Sequence, residues 1–148
     1  MATDKPMDDP AFPDRRMTEP EALRALSLTP SMTVDDLDRS LRFYTTGLGF
    51  TVEERWEDDG NLTGVMLVAG NCRIGLSQDD WKQGRDRPKG VAFRIWAETV
   101  QDVDGLAERR AERGIEYDGP KDEPWGARTL SVVDPDGFKL TFSPPQGD

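Results

Sequence analysis

Asp36-Leu37-Asp38-Arg39-Ser40-Leu41-Arg42-Phe43-Tyr44-Thr45-Thr46-Gly47-Leu48-Gly49-Phe50 returns in altered form about 65 residues later, as Asp102-Val103-Asp104-Gly105-Leu106-Ala107-Glu108-Arg109-Arg110-Ala111-Glu112-Arg113-Gly114-Ile115. In each copy paired aspartates open a helical pattern, and a glycine followed by an apolar residue closes it. Each copy then runs through two short strands joined by a turn, Gly70-Asn71 in the first and Asp136-Gly137 in the second. The apolar alternation Ile74, Leu76 after the first turn reappears as Leu140, Phe142 after the second. A repeat of this kind decides the architecture before any single residue is weighed. Each copy reads as strand, helix, then three strands.

Working outward, the first copy begins with a strand from Leu26 to Val34. Asp35 and Asp36 suit a helix start, and Leu37, Leu41, Tyr44 and Leu48 fall on one helical face. Phe50, Val52, Glu54 and Trp56 alternate along the next strand, Asp58-Asp59-Gly60-Asn61 forms a turn, and Leu62–Ala69 with Cys72–Gln78 makes a hairpin. The second copy opens with Val91 to Trp96, continues in a helix from Val100 to Arg113 striped by Val103, Leu106, Ala107 and Ala111, and ends in strands at 115–118, 127–133 and 138–143. Asp134-Pro135-Asp136-Gly137 is a strong turn signal. The chain thus divides into an arm at 1–24, modules at 25–79 and 90–144, a surface linker at 80–89 containing Trp81, and a tail at 145–148. Pro6, Pro10, Pro13 and Pro20 among scattered Asp and Met predict that the arm is mobile.

Composition narrows the function. Nineteen basic residues against 29 acidic ones give a net charge of −10, which repels nucleic-acid phosphates and anionic lipid. No apolar run is long enough to span a bilayer and the N-terminus lacks the apolar stretch of a signal peptide, so a cytoplasmic location is expected. The 148 residues contain no histidine, which removes histidine-based triads, histidine-ligated zinc and imidazole general bases. The single cysteine, Cys72, sits on an alternating strand and is expected to be buried or half-buried rather than reactive.

Asp36 to Phe50, Val91 to Ile95 and Asp134 to Gly137, taken in that order, resemble the vicinal oxygen chelate superfamily of glyoxalases, extradiol dioxygenases and bleomycin-resistance proteins. The resemblance implies an α+β fold of paired βαβββ modules forming a cupped, mainly antiparallel eight-stranded sheet with the helices outside. It also implies a homodimer. Many enzymes of that superfamily hold a divalent metal at four strand positions, which match Thr29, Gly75, Gly90 and Thr141 here. These are poor ligands, so neither a metal nor another cofactor is expected. Glu123-Pro124-Trp125-Gly126 brings the chain nearest to the metal-free bleomycin-resistance branch, where the tryptophan lines a crevice and stacks on a flat drug.

The implied function is sequestration of an aromatic, cationic small molecule, such as a bleomycin-type antibiotic, in an acidic crevice. Trp125, Asp58, Asp59, Trp96, Arg94, Glu54 and Trp56 are the candidate contacts, with Leu62 where a second stacking aromatic is expected. Trp56 and Trp96 lie on alternating strands and equally suit a core or dimer interface. The alternative function is a glyoxalase-like lyase or isomerase using Glu54, Arg94 or Tyr117 as acid or base. A third reading is a regulatory or scaffold protein whose cup is filled by its own side chains.

Overall fold

The computed structural model describes residues 25–80 and 87–145. The arm at 1–24, linker positions 81–86 with Trp81, and tail positions 146–148 lie outside the described residues. The elements below all belong to the compact unit that begins at Ser31.

The elements follow the repeat. In the first module β1 (Ser31–Val34) leads to α1 (Leu37–Arg42), and then to β2 (Thr51–Asp58), β3 (Asn61–Ala69) and β4 (Cys72–Gln78). In the second, β5 (Arg94–Glu98) leads to α2 (Val103–Glu112), β6 (Asp118–Asp122), β7 (Arg128–Val133) and β8 (Lys139–Ser143). Both helices start the same way. The Asp36 carboxylate accepts from the Arg39 amide at 3.2 Å, and that of Asp102 from the Gly105 amide at 3.2 Å. Each cap satisfies an amide that the first helical turn leaves open. The first helix does not run on regularly to Leu48. It widens into a π-helical turn at Phe43–Gly47, and the Thr45 hydroxyl donates to the Leu41 carbonyl at 2.6 Å.

Each module makes its own four-stranded mixed sheet, ordered β1-β4-β3-β2 and β5-β8-β7-β6, in place of one continuous eight-stranded sheet. One pair in each is parallel, β1 with β4 and β5 with β8. The hairpins lie where the turn chemistry puts them, Ala69 pairing with Cys72 and Val133 with Lys139. Several boundaries shift. The first strand starts at Ser31 rather than Leu26, and β5 at Arg94 rather than Val91. Ala92 has φ +56, which breaks the extended run before β5. The sixth strand falls at Asp118–Asp122 rather than 115–118.

A bulge corrects the alternation read in β2. Val52 pairs with Leu67, but Glu54 pairs with Met66 and Trp56 with Gly64, the register slipping between Val52 and Glu54. One extra residue moves everything beyond it to the other face. Glu54 and Trp56 therefore leave the face that Val52 shares with the core. Trp56 lies instead across Gly64, whose missing Cβ would sit 3.3 Å from the indole Cε3.

One cluster joins the modules: Met32, Val34, Leu37, Tyr44, Val65, Leu67, Ile74 and Leu76 from the first, with Val132, Phe138 and Leu140 from the second. Val103, Leu106, Ala107 and Leu130 form a smaller cluster under α2. The α2 stripe continues to Arg110 rather than to Ala111, which is exposed. Positions 103, 106, 107 and 110 follow the helical period, and the Arg110 guanidinium donates to the Leu48 carbonyl at 3.2 Å. Desolvation, followed by the nearby Arg113 and Arg109, holds its pKa below the usual arginine value. Cys72 is exposed, contrary to expectation, because it is the first residue after the Gly70-Asn71 turn.

The turn joining β7 to β8 grips the first module. Fully buried Tyr44 donates its hydroxyl to Asp134 at 2.7 Å, and Asp136 accepts from the Asp35 amide at 2.9 Å and from the Ser40 hydroxyl at 3.2 Å. Asp134 also accepts from the amides of Asp136 and Phe138, at 2.9 and 2.8 Å. Burial, then the adjacent Asp134 carboxylate, pushes the Tyr44 phenol far up. Burial likewise raises the Asp134 carboxyl, against the opposing pull of its hydrogen bonds. Residues 87–89 are not a loose linker either, because Lys89 is buried in ion pairs with Asp35 and Asp79.

Candidate functional site

The alternation of β7 and β8 builds two unlike faces. Leu130 opposite Phe142 and Val132 opposite Leu140 point to the core, whereas Ser131 opposite Thr141 and Val133 opposite Lys139 point away from it. Along β5, Arg94, Trp96 and Glu98 pair with Lys139, Thr141 and Ser143 and share that second face. The hydroxyls are held in place: Ser131 and Thr141 lie 2.9 Å apart, and Thr129 donates to Glu123 at 2.7 Å.

Above this layer sits an aromatic pair. The Trp96 indole N–H donates to the Ser143 hydroxyl at 3.0 Å, which fixes its ring, and Trp125 lies 6.3 Å from it centroid to centroid at 45°. Trp125 rides on a tight loop in which Gly126, at φ +98, donates to the Glu123 carbonyl at 2.9 Å, and the Glu123 amide donates to the Ala127 carbonyl at 2.7 Å. Both rings keep large open faces, Trp96 being 40% and Trp125 58% exposed. The Arg94 guanidinium lies 5.7 Å from the Trp96 ring centre.

Two cavities adjoin on the same sheet. One of about 420 Å³ is lined by Tyr117, Ser131, Val133, Lys139 and the acidic Glu116 and Asp118. The other, about 510 Å³, is lined by Gly90, Ala92, Phe93, Arg94, Val133, Gly137 and Lys139. They share Val133 and Lys139, and so form a groove across the ends of β7 and β8.

The expected contacts split into two groups. Arg94, Trp96 and Trp125 come together. Glu54, Trp56, Asp58 and Asp59 lie exposed on β2 and its turn in the first module, and among the described residues no ring contact joins them to the tryptophan pair. Leu62 is half-buried against the core and offers no flat surface. Neither Trp56 nor Trp96 is a core residue. The groove also brings in Lys139, Val133 and Ser131, which sequence reasoning missed. The signal was the strict alternation Lys139-Leu140-Thr141-Phe142-Ser143, which places every polar residue of that strand on one face.

The four positions at which related enzymes hold a divalent metal do not fit one here. Gly75 and Gly90 have no side-chain donor, and a Cβ on Gly90 would lie 2.1 Å from the Gly137 carbonyl carbon. The Thr141 hydroxyl is engaged with Ser131, and Thr29 is an alcohol, a weak ligand for a divalent ion. Among the described residues, no three His, Cys, Asp or Glu side chains gather as a metal site.

Residues 26–142 match the Glyoxalase/Bleomycin resistance protein/Dioxygenase superfamily. The glutathione transferase FosA of Serratia marcescens is 30% identical over 112 residues, 74% of this chain and 74% of its own length. A bleomycin resistance protein of Geobacillus stearothermophilus is 27% identical over 130 residues, covering 79% of this chain and 95% of its own. Among solved structures, TnmS3, an antibiotic binding protein from Streptomyces sp. CB03234, superposes with a TM-score of 0.62 at 28% identity, over 80% of this chain and 93% of its own.

Proposed function

Because the chain belongs to the glyoxalase/bleomycin resistance protein/dioxygenase superfamily, we propose that it is a metal-independent small-molecule binding protein that sequesters a flat aromatic ligand against Trp96 and Trp125. The observation that carries this is an exposed tryptophan pair whose inner ring is fixed through its own N–H. A ring held before the ligand arrives loses little further freedom on binding, and each stacked contact is worth about 0.5–1.5 kcal/mol beyond the area it covers. Relatives named for bleomycin resistance and antibiotic binding support an antibiotic-like ligand. Exposed Val91 and Val100 support a homodimer that covers them. The acidic-crevice expectation rested on net charge. The Arg94 guanidinium lies against the Trp96 ring, so the proposal keeps the aromatic ligand and not its positive charge.

The enzymatic reading has less support. Asp134, whose carboxyl burial raises, is held by Tyr44 and two amides at the turn and lines neither cavity. Tyr117 lines the groove without a hydrogen-bonded base among the described residues. The test is a tryptophan-fluorescence titration of chelator-treated protein with metal-free bleomycin, repeated on Trp125→Ala. Saturable quenching at one ligand per chain that the substitution abolishes supports the proposal. Saturation unchanged by the substitution would remove the tryptophan platform, and no response at all would remove bleomycin as the ligand.

A further inference from the structure

The second cavity has a charge pattern that the fold alone does not require. Arg94 and Lys139 are direct partners across β5 and β8, and both line the same cavity. Like charges facing each other on neighbouring strands repel and cost stability. A protein with 29 acidic residues has ample means to neutralise such a pair. Elsewhere it does so: Arg128 is clasped by Asp104 and Asp122 at 2.9 and 3.1 Å, and Arg73 by Glu53 at 2.7 Å. Among the described residues, neither Arg94 nor Lys139 has a carboxylate within 4 Å. The same cavity offers apolar walls in Phe93, Val133 and Ala92. Phe93 is braced edge-on against buried Phe138, with ring centres 5.4 Å apart, and so presents a fixed ring beside the two cations.

We infer that this end of the groove is an anion-binding subsite, which takes the carboxylate of an aromatic small molecule between Arg94 and Lys139 while its ring lies on Phe93 and Val133. The guanidinium provides paired donors in a plane and the ammonium provides a mobile point charge, a combination suited to a carboxylate. Phe93 and Val133, both partly open to solvent, give the ring of such a ligand an apolar surface to cover beside the two cations. The negative charge of the whole chain does not fix the local sign. Glu116 and Asp118 line the adjoining cavity with Lys139 but form no ion pair with it, and neither lines the cavity that holds Arg94 and Phe93.

The experiment is a fluorescence titration of the full chain with two probes of one shape and opposite charge, 2-naphthoate and 2-naphthylmethylammonium, on the wild type, Lys139→Gln and Trp125→Ala. Naphthoate should bind at least about tenfold more tightly than the ammonium probe, and Lys139→Gln should weaken naphthoate about tenfold while leaving the ammonium probe within about twofold. Without ligand, Lys139→Gln should melt no lower than the wild type, since it relieves a like-charge pair. Equal or tighter binding of the ammonium probe, naphthoate that fails to saturate, naphthoate indifferent to Lys139→Gln, or a Lys139→Gln protein that melts lower would each overturn the subsite. Trp125→Ala separates the two proposals. Bleomycin binding lost in that variant, with naphthoate indifferent to Lys139→Gln, sinks the subsite and spares the tryptophan platform, and the reverse pattern does the opposite.

Discussion

Replacing Tyr44 by Phe removes one oxygen from the most deeply buried polar contact between the modules. The ring stays, so the packing with Phe43 and Phe50, at ring-centre distances of 5.2 and 5.6 Å, is kept and almost no cavity forms. What disappears is the 2.7 Å hydrogen bond to Asp134 Oδ2. The other oxygen, Oδ1, keeps its two amide donors, whereas Oδ2 is left without a protein donor. A hydrogen bond to a charged group contributes about 1.5–3 kcal/mol, and stranding a buried acceptor puts the loss in the upper half of that range. We therefore expect a loss of about 2–3 kcal/mol, or a fall in Tm of about 5–10 °C for a chain of this size. The pH dependence makes the test specific. Burial raises the Asp134 carboxyl, and the Tyr44 bond opposes that rise. A group whose folded pKa is raised contributes stability that is complete below its unfolded pKa and is lost as pH climbs through the folded value. Asp134 is therefore a cost at neutral pH that Tyr44 reduces, and Tyr44→Phe should raise the carboxyl further. Urea denaturation of both proteins at about pH 7 and about pH 5 should give a larger difference at the higher pH. A difference under about 0.5 kcal/mol at neutral pH, or one that grows on acidification, would refute the account.

Four further outcomes are expected. Trp125→Ala should weaken binding of an aromatic ligand at least tenfold, about 1.4 kcal/mol or more, and calorimetry should find its Tm within about 3 °C of the wild type because the ring is largely exposed. Gly90→Ala should cost over about 3 kcal/mol, since its Cβ would meet backbone atoms of Gly137 and Phe138 at 2.1 and 2.3 Å that no rotamer change can clear, whereas Gly49→Ala, with nothing within 4 Å and φ +96, should cost only about 1 kcal/mol. Above the ordinary tyrosine pKa of 10.0 the fold should weaken as pH rises, because folded Tyr44 keeps its proton where the unfolded chain releases it, and Tyr44→Phe should flatten that slope in thermal melts. Ligand titrations should be unchanged by EDTA, and a lower affinity after chelation would restore a metal to the site.

The repeat carried most of the fold. Paired aspartates marked both helix starts, although the second helix begins at Val103 behind its Asp102 cap rather than at Val100, and Gly70-Asn71 and Asp136-Gly137 marked both core hairpins, because caps and turns are chemistry local to a few residues. The bulge in β2 was not legible. It rests on pairing with β3, and its effect is to turn Glu54 and Trp56 away from a face their spacing seemed to share with Val52. Within the site, Trp125 stood out because an aromatic between Pro124 and Gly126 has no strand to hide in. Lys139 did not, since a lysine in a strand reads as a solvated position until the strand beside it is known to bring Arg94 opposite. Asp58 and Asp59 suit a turn as readily as a ligand. Their charge suggested a ligand, and their place is an exposed turn in which Asp59 adopts φ +51.

The grip of the Asp134–Gly137 turn on α1 bears on what would happen to a severed chain. Val132, Phe138 and Leu140 complete an interior whose other walls are Met32, Val34, Leu37 and Tyr44. A fragment ending at Asp80 would expose that interior to water, and a fragment beginning at Arg87 would carry the missing pieces with nothing to cover. Mixed together, the two fragments should recover one folded body, since Tyr44 with Asp134 and Ser40 with Asp136 reach across the cut without needing the peptide bonds between them. The protein is thus a pair of interdependent halves, a natural candidate for splitting into a reporter that reassembles only when both pieces are brought close.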